Sequence, residues 1–285
     1  MFNFLKLIMK KTIFSLMFLA GIASTTPAFS ANESDAVVET QQDGMVKAKD
    51  GSGVFGYKDT RKLPWCGFFQ HDPDRPLPPI VKSCKCQVVE APSDALILFD
   101  GRNLSQWQNS TWQIENGDLV SSKTKEKLIT KKSFGDIQLH VEWLVPAGYE
   151  GPWYNHGNNG VTLMNLYEIQ IFDSYDYRIP LYADGICSAI YGQTPPTANA
   201  CLKPGEWQSF DIIFKAPIFK DGELVKPAYL TLIHNGVIVH NNQEIYGETR
   251  HRIYPEYKTK VSKGPISLPG HDCPVRFRNI WVRNL

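Results

Sequence analysis

A surplus of charge is missing from this chain. Its 30 Lys and Arg are met by 29 Asp and Glu, a formal net charge of +1. No basic or acidic field is therefore available to draw in nucleic acid or an anionic membrane surface. Helical periodicity is nearly absent as well, which leaves the chain to strands and turns. Beyond the first 30 residues no apolar run approaches the roughly 20 residues that a spanning helix needs. There is no internal repeat and no low-complexity tract. What is plentiful is punctuation: 21 Gly and 19 Pro suit many short strands joined by turns.

The first 30 residues read as a secretory signal peptide. Lys6, Lys10 and Lys11 form a basic start, Thr12 to Ala23 an apolar run, and Ala28-Phe29-Ser30 a small-x-small cleavage signal before Ala31. No Cys follows the apolar run, so a lipoprotein anchor is not expected. The protein is expected to be exported, to periplasm or medium, with no membrane span once the signal is cleaved. Its six cysteines are Cys66, Cys84, Cys86, Cys187, Cys201 and Cys273. An even number in an exported chain favours disulfides. Cys187 and Cys201 bracket one loop. Cys84 and Cys86 sit too close in sequence to pair with each other, and Cys66 and Cys273 are within their reach. A zinc site from Cys84, Cys86 and His71 is the alternative.

Residues 31–92 read as a polar linker followed by an extended arm stapled by disulfides. Asp72-Pro73-Asp74-Arg75-Pro76-Leu77-Pro78-Pro79 forbids helix and central strand, and nothing in it has a catalytic pattern. From residue 93 to 285 strand signals recur. Asp136 to Leu144 alternates, with Ile137, Leu139, Val141 and Trp143 inward and Gln138, His140 and Glu142 outward. Asn235-Gly236 is a strong hairpin signal. In Pro274 to Arg283 the phase changes near Asn279, where Ile280 and Val282 take over. Trp107, Trp112, Trp143, Trp207 and Trp281 read as core. The fold class is all-β, an antiparallel sandwich.

The most informative strand is Tyr167-Glu168-Ile169-Gln170-Ile171-Phe172-Asp173. Ile169 and Ile171 face one side, Glu168 and Gln170 the other. A bulge at Phe172 would turn Asp173 to join them. A carboxylate beside an amide suits sugar binding or acid–base chemistry.

Several stretches together resemble one family. They are Leu98 to Trp107, Trp112 to Leu119, Asp136 to Trp143, Gly157-Asn158-Asn159-Gly160-Val161, Tyr167 to Gln170, Tyr182-Ala183-Asp184-Gly185, Ala189-Ile190-Tyr191-Gly192-Gln193 and Val275 to Trp281. In this order they look like the 3-keto-disaccharide hydrolase family. One departure is Pro269-Gly270-His271-Asp272, where the family usually has Gln-Asp-His-Gly. The resemblance implies a concanavalin A-like jelly-roll of two antiparallel sheets. It also implies a sugar substrate, a glucoside oxidised to a ketone at C3.

On that scaffold Glu168, Glu142 and His271 are expected as catalytic base and acid. Gln170, Asp173, Asn158, Tyr167, Arg276, Arg278 and Trp153 are expected around the sugar, with Arg276 or Arg278 on the enolate oxygen. Alternatively Glu142, Glu168 and His271 hold a divalent ion (Mn²⁺, Zn²⁺ or Ca²⁺) that polarises the ketone. Two rivals stand beside this reading. One is a retaining laminarinase-type glucanase, because Glu168-x-Gln170-x-x-Asp173 has a similar layout. The other is a non-catalytic sugar-binding module. The oligomeric state is not readable.

Overall fold

The structure, a computed structural model, describes residues 44–86, 88–121 and 125–285. The signal peptide and most of the linker read from the sequence lie outside the described residues. Strands form where apolar residues alternate. In chain order they are β1 (Val46–Lys47), β2 (Phe55–Gly56), β3 (Leu96–Phe99), β4 (Gln113–Glu115), β5 (Asp118–Val120), β6 (Leu128–Phe134), β7 (Ile137–Leu144), β8 (Asn159–Leu163), β9 (Tyr167–Ile171), β10 (Gln208–Lys215), β11 (Ile218–Lys220), β12 (Glu223–Lys226), β13 (Ala228–His234), β14 (Val237–Ile245), β15 (Gly264–Leu268) and β16 (Arg276–Asn284). The only helical elements among the described residues are three short 3₁₀ turns.

Two sheets make a jelly-roll sandwich. The larger runs β14-β13-β10-β7-β16-β5-β4, with β3 also on β16, and the smaller runs β6-β15-β8-β9. Neighbouring strands in both are antiparallel. The core lies between them. Leu139, Val141, Trp143, Phe210 and Phe214 of the large sheet meet Val161, Leu163, Tyr167, Ile169 and Ile171 of the small one. Each such side chain contributes roughly 1.5–3 kcal/mol by leaving water. Asn235 and Gly236 turn β13 into β14 with φ of 50° and 81°, the double left-handed geometry of a type I′ turn. In β16 the register against β7 shifts between Arg278 and Trp281, and Asn279 has φ of 45°. That extra residue is a bulge, and it passes the inward role from Phe277 to Ile280 and Val282.

Among the described residues of 57–95 there is no strand, only turns, bends and one isolated bridge. They are held to the sandwich at several points. Phe55 bridges Leu181, and Ile80 bridges Asn199. The Arg75 guanidinium donates to the Gln193 carbonyl at 2.8 Å, and Gln70 Nε2 donates to the Arg250 carbonyl at 2.7 Å. The Trp65 ring stacks on Tyr246 at 3.8 Å. Disulfides play no part in this attachment, contrary to expectation, because all six cysteines are unbridged. The zinc alternative is not assembled either. His71 is fully buried against Asp184, whereas Cys84 is exposed and Cys86 lies by Glu142 and Ser209.

Candidate active site

The outer face of the small sheet carries a concavity of about 810 Å³. Alternation puts Glu168, Gln170 and Phe172 at its floor, because Tyr167, Ile169 and Ile171 are used by the core. Thr162 of β8 lies opposite Glu168 in register and lines the same floor. Loops complete the walls. Trp153 and Asn158 come from the turn after β7, Tyr182 and Tyr191 from the long connection after β9, and His271 from the loop before β16. Tyr57 reaches in from the N-terminal segment.

Glu168 is placed for proton chemistry. Its carboxylate has no hydrogen-bond donor among the described residues, while its backbone N–H donates to Thr249 Oγ1 at 2.9 Å. Burial pushes the carboxyl up to about 7, with Lys127 pulling the other way. A base is most effective when its pKa lies near the working pH. Gly160, which pairs with Gln170 in register, leaves room for this side chain. A Cβ there would sit 2.5 Å from Glu168 Oε1.

The other walls are polar and ordered. Gln170 Nε2 donates to Asn158 Oδ1 at 3.1 Å, and Asn158 Nδ2 donates to the Tyr154 carbonyl at 2.9 Å. His271 is held below its ordinary value by burial, then by Lys125 and Lys127, against the pull of Asp272. It therefore stands neutral at pH 7, with a ring N–H to donate. Trp153 is braced edge-on by Phe55 at 4.3 Å, which offers a platform for a sugar ring. Tyr191 meets His251 Nδ1 at 3.0 Å and the Tyr182 hydroxyl at 3.4 Å.

Half of the expected site residues are thus gathered here: Glu168, Gln170, Asn158, Trp153 and His271. The others are not. Glu142 lies on β7 in the other sheet, on the outer face opposite the core residues Val141 and Trp143. The whole sandwich separates it from Glu168. It is fully buried and takes Arg278 Nε at 2.6 Å and Asn279 Nδ2 at 2.8 Å, with His140 Nε2 at 3.5 Å. Burial alone would raise this carboxyl, but those three donors outweigh it and hold it at about 2. His140 responds in kind: burial alone would lower it, yet Asp211 and Glu142 lift it to about 9.

Arg278 is spent on Glu142 and on the Trp207 ring, 4.0 Å below its guanidinium. Arg276 pairs with Glu115 at 2.8 Å and Asp118 at 3.4 Å, so neither arginine reaches the cavity. Tyr167 is a core residue packed on Phe214. The expected bulge at Phe172 does not form. Strand β9 and its pairing with β8 end at Ile171, Phe172 takes the floor position, and Asp173 turns away to Arg178 at 3.0 Å.

The proposed ion ligands therefore do not fit as a set. Among the described residues, the one group of three His, Cys, Asp or Glu whose ligand atoms lie within 4.8 Å of one another is Cys187, Cys201 and His234, away from the floor. Sequence reasoning missed Tyr57 and His251, and gave no role to Tyr191, although Tyr191 stands inside the Ala189 to Gln193 stretch.

A sandwich with a recessed, ring-lined polar cavity over one strand defines a carbohydrate-active β-protein. Residues 94–283 match the family described as the 3-keto-alpha-glucoside-1,2-lyase-like domain, and the chain belongs to that family. A crystal structure from Parabacteroides distasonis, provisionally assigned as a glycosyl hydrolase, is 40% identical, with a TM-score of 0.66 over 74% of this chain and 93% of its own. A second protein of that organism under the same assignment is 20% identical, with a TM-score of 0.49 over 67% of this chain and 94% of its own. No curated protein matches the chain.

Proposed function

We propose that this protein is an exported enzyme that cleaves 3-keto-glycosides by elimination across C1 and C2, with Glu168 as the base. The observation that carries this is a single carboxylate without hydrogen-bond donors at the cavity floor, with its pKa lifted to about 7 by burial. A ketone at C3 acidifies the C2 proton. Glu168 takes that proton, and the electron pair passes to the C3 oxygen as an enolate. The neutral His271 donates its ring N–H to that oxygen, the part first expected of an arginine. Collapse of the enolate restores the C3 ketone, forms the C1–C2 double bond and expels the C1 oxygen with its electron pair. Gln170 and Asn158 hold the sugar hydroxyls, and the Trp153 ring stacks on the sugar. Addition of water to the unsaturated product would make the net reaction a hydrolysis.

The glucanase reading loses its basis with the missing bulge, since Asp173 does not join Glu168. The test is incubation of the mature protein with a 3-keto-glucoside and with the parent glucoside, with and without EDTA. Release of aglycone from the keto sugar alone is expected. Cleavage of the parent glucoside would instead revive the glucanase. Cleavage of neither by a folded, metal-replete protein would leave a binding module. Loss with EDTA, restored by Mn²⁺, Zn²⁺ or Ca²⁺, would add an ion to the mechanism.

A further inference from the structure

The family match begins at residue 94, yet the cavity is not complete without residues that precede it. Tyr57 lines it. Behind Tyr57 lies His71, 0% exposed. Asp184, also 0% exposed, gives both carboxylate oxygens to this histidine: one accepts the His71 backbone N–H at 3.0 Å, the other faces Nδ1 at 3.2 Å. Burial alone would raise Asp184, but His71 and Arg75 outweigh it and keep the carboxyl below the usual range. An ionised Asp184 makes Nδ1 the donor and fixes the ring. Gly56 is needed for this seating, because a Cβ there would meet the His71 carbonyl at 2.0 Å.

The seated ring is the centre of an aromatic cluster. His71 lies 4.3 Å from Tyr182, 5.1 Å from Tyr191 and 4.9 Å from His251, the last nearly parallel at 25°. All three neighbours line the cavity. His71 Nε2 is buried and has no partner, so the ring acts by its shape and its field on what it touches. Tyr191 is tied to the floor as well, since its backbone N–H donates to the Glu168 carbonyl at 3.0 Å. The elimination leaves one need unmet, a proton for the departing oxygen. The Tyr191 phenol, paired with His251 Nδ1 at 3.0 Å, lies in the cavity with Glu168 to supply it.

We propose that Tyr191 protonates the departing C1 oxygen, and that His71, locked by Asp184, is the positioning residue that holds the Tyr191–His251 pair. This rests on the elimination reading of the site. With His251 as the Nδ1–H tautomer donating to the Tyr191 oxygen, the phenol proton is free for the substrate. The C1–O bond breaks with its electron pair on oxygen, and that oxygen takes the Tyr191 proton. The phenolate takes its proton back from water while His251 keeps its Nδ1–H. Glu168 returns the C2 proton to water, so protons balance over the turnover.

The test uses the full mature protein and two 3-keto-glucosides, one with a 4-nitrophenyl and one with a methyl aglycone. Nitrophenolate leaves without a proton, whereas methoxide does not. General acid catalysis is worth about 10²–10⁴-fold. Y191F is expected to lose about 10²-fold or more in kcat on the methyl glycoside and under about tenfold on the nitrophenyl one. H71Q is expected to show the same contrast at about tenfold, with KM unchanged. Equal losses on both aglycones would overturn the assignment of Tyr191.

A second readout does not need turnover. The His251 ring is followed by ¹⁵N–¹H NMR titration in wild type and H71Q. The groups facing His251 are His71, Arg252, Asp59, Asp184, Tyr57 and Tyr191. H71Q is expected to move the His251 midpoint upward, and an unchanged midpoint would overturn the positioning role. H71N replaces H71Q if the latter does not fold, with the same upward move expected. Wild type inactive on both keto sugars, with the His251 shift present, would sink the elimination reading and the Tyr191 role with it, while leaving the His71 role standing.

Discussion

Replacing Gly160 by Ala should separate the site from the fold. Gly160 has no left-handed φ, so alanine is conformationally acceptable there. The substitution should even add about 0.4–1 kcal/mol by restricting the unfolded chain. The added Cβ would lie 2.5 Å from Glu168 Oε1, 2.9 Å from Cγ and 3.1 Å from Cδ. Ordinary contact begins near 3.4 Å, so the carboxylate must retreat by about 1 Å. The three nearest atoms all belong to the Glu168 side chain, from Cγ to Oε1, and none of them is backbone. Stability should therefore stay within about 1 kcal/mol of wild type, or roughly 2–4 °C in Tm. Catalysis should suffer far more. A misplacement of about 1 Å costs on the order of 10²-fold, which is about 2.7 kcal/mol at 1.36 kcal/mol per decade. The assay is kcat/KM on a 3-keto-glucoside for wild type, G160A, E168Q and the double variant, beside thermal melts. G160A and E168Q act on one group, so the double variant should lose little beyond E168Q alone. A folded G160A with full activity would refute the assignment of Glu168 as base.

Three further outcomes follow from the same geometry. Activity should rise with pH to a midpoint near 7 as Glu168 ionises. Because its folded value lies above the unfolded value near 4.5, the same group makes stability fall as pH rises between those values. Denaturant melts should show this slope in wild type and not in E168Q. E142Q should keep its activity within a few-fold but unfold about 10 °C lower, since breaking a buried ion pair costs about 3–5 kcal/mol. The His140 contribution, present below about pH 6.5 and lost as pH rises through about 9, should shrink with it. A large fall in turnover without a fall in Tm would return Glu142 to the active site. Y167F should be neutral or stabilising by about 1 kcal/mol with unchanged kinetics, because the Tyr167 hydroxyl is buried without a partner. A tenfold rise in KM would contradict its place in the core.

The fold was legible because its signals are local. The alternation in β7, the Asn235-Gly236 turn and the phase change at Asn279 each depend on a few adjacent residues. Half of the site was legible for the same reason: Glu168 and Gln170 share a face by a two-residue period. Tyr57, His71 and His251 were not, because no period links them to a central strand about 110, 100 and 80 positions away. The bulge at Phe172 was a wrong inference from chemistry. An acid at the end of a polar face looked as though it should join that face. The apolar Phe172 took the floor position instead, and Asp173 found Arg178.

Glu142 and Glu168 show what alternation leaves undecided. Both point away from the core, and a sandwich has two outer faces, so "outward" does not say which. The difference lies in what covers each face. Over Glu142 the N-terminal segment closes down, with Asn279 Nδ2 bonded both to the Val89 carbonyl and to Glu142 at 2.8 Å. Arg278 seals the other side against Trp207. Enclosure with three donors holds a carboxylate at about 2, where it has no affinity for a proton at neutral pH and serves as a brace. Over Glu168 loops leave a cavity, and no donor among the described residues meets the carboxylate. Burial without donors lifts the same functional group to about 7. Donors, rather than residue type or strand position, divide the two glutamates into one that pins the sandwich and one that can take a proton from a sugar.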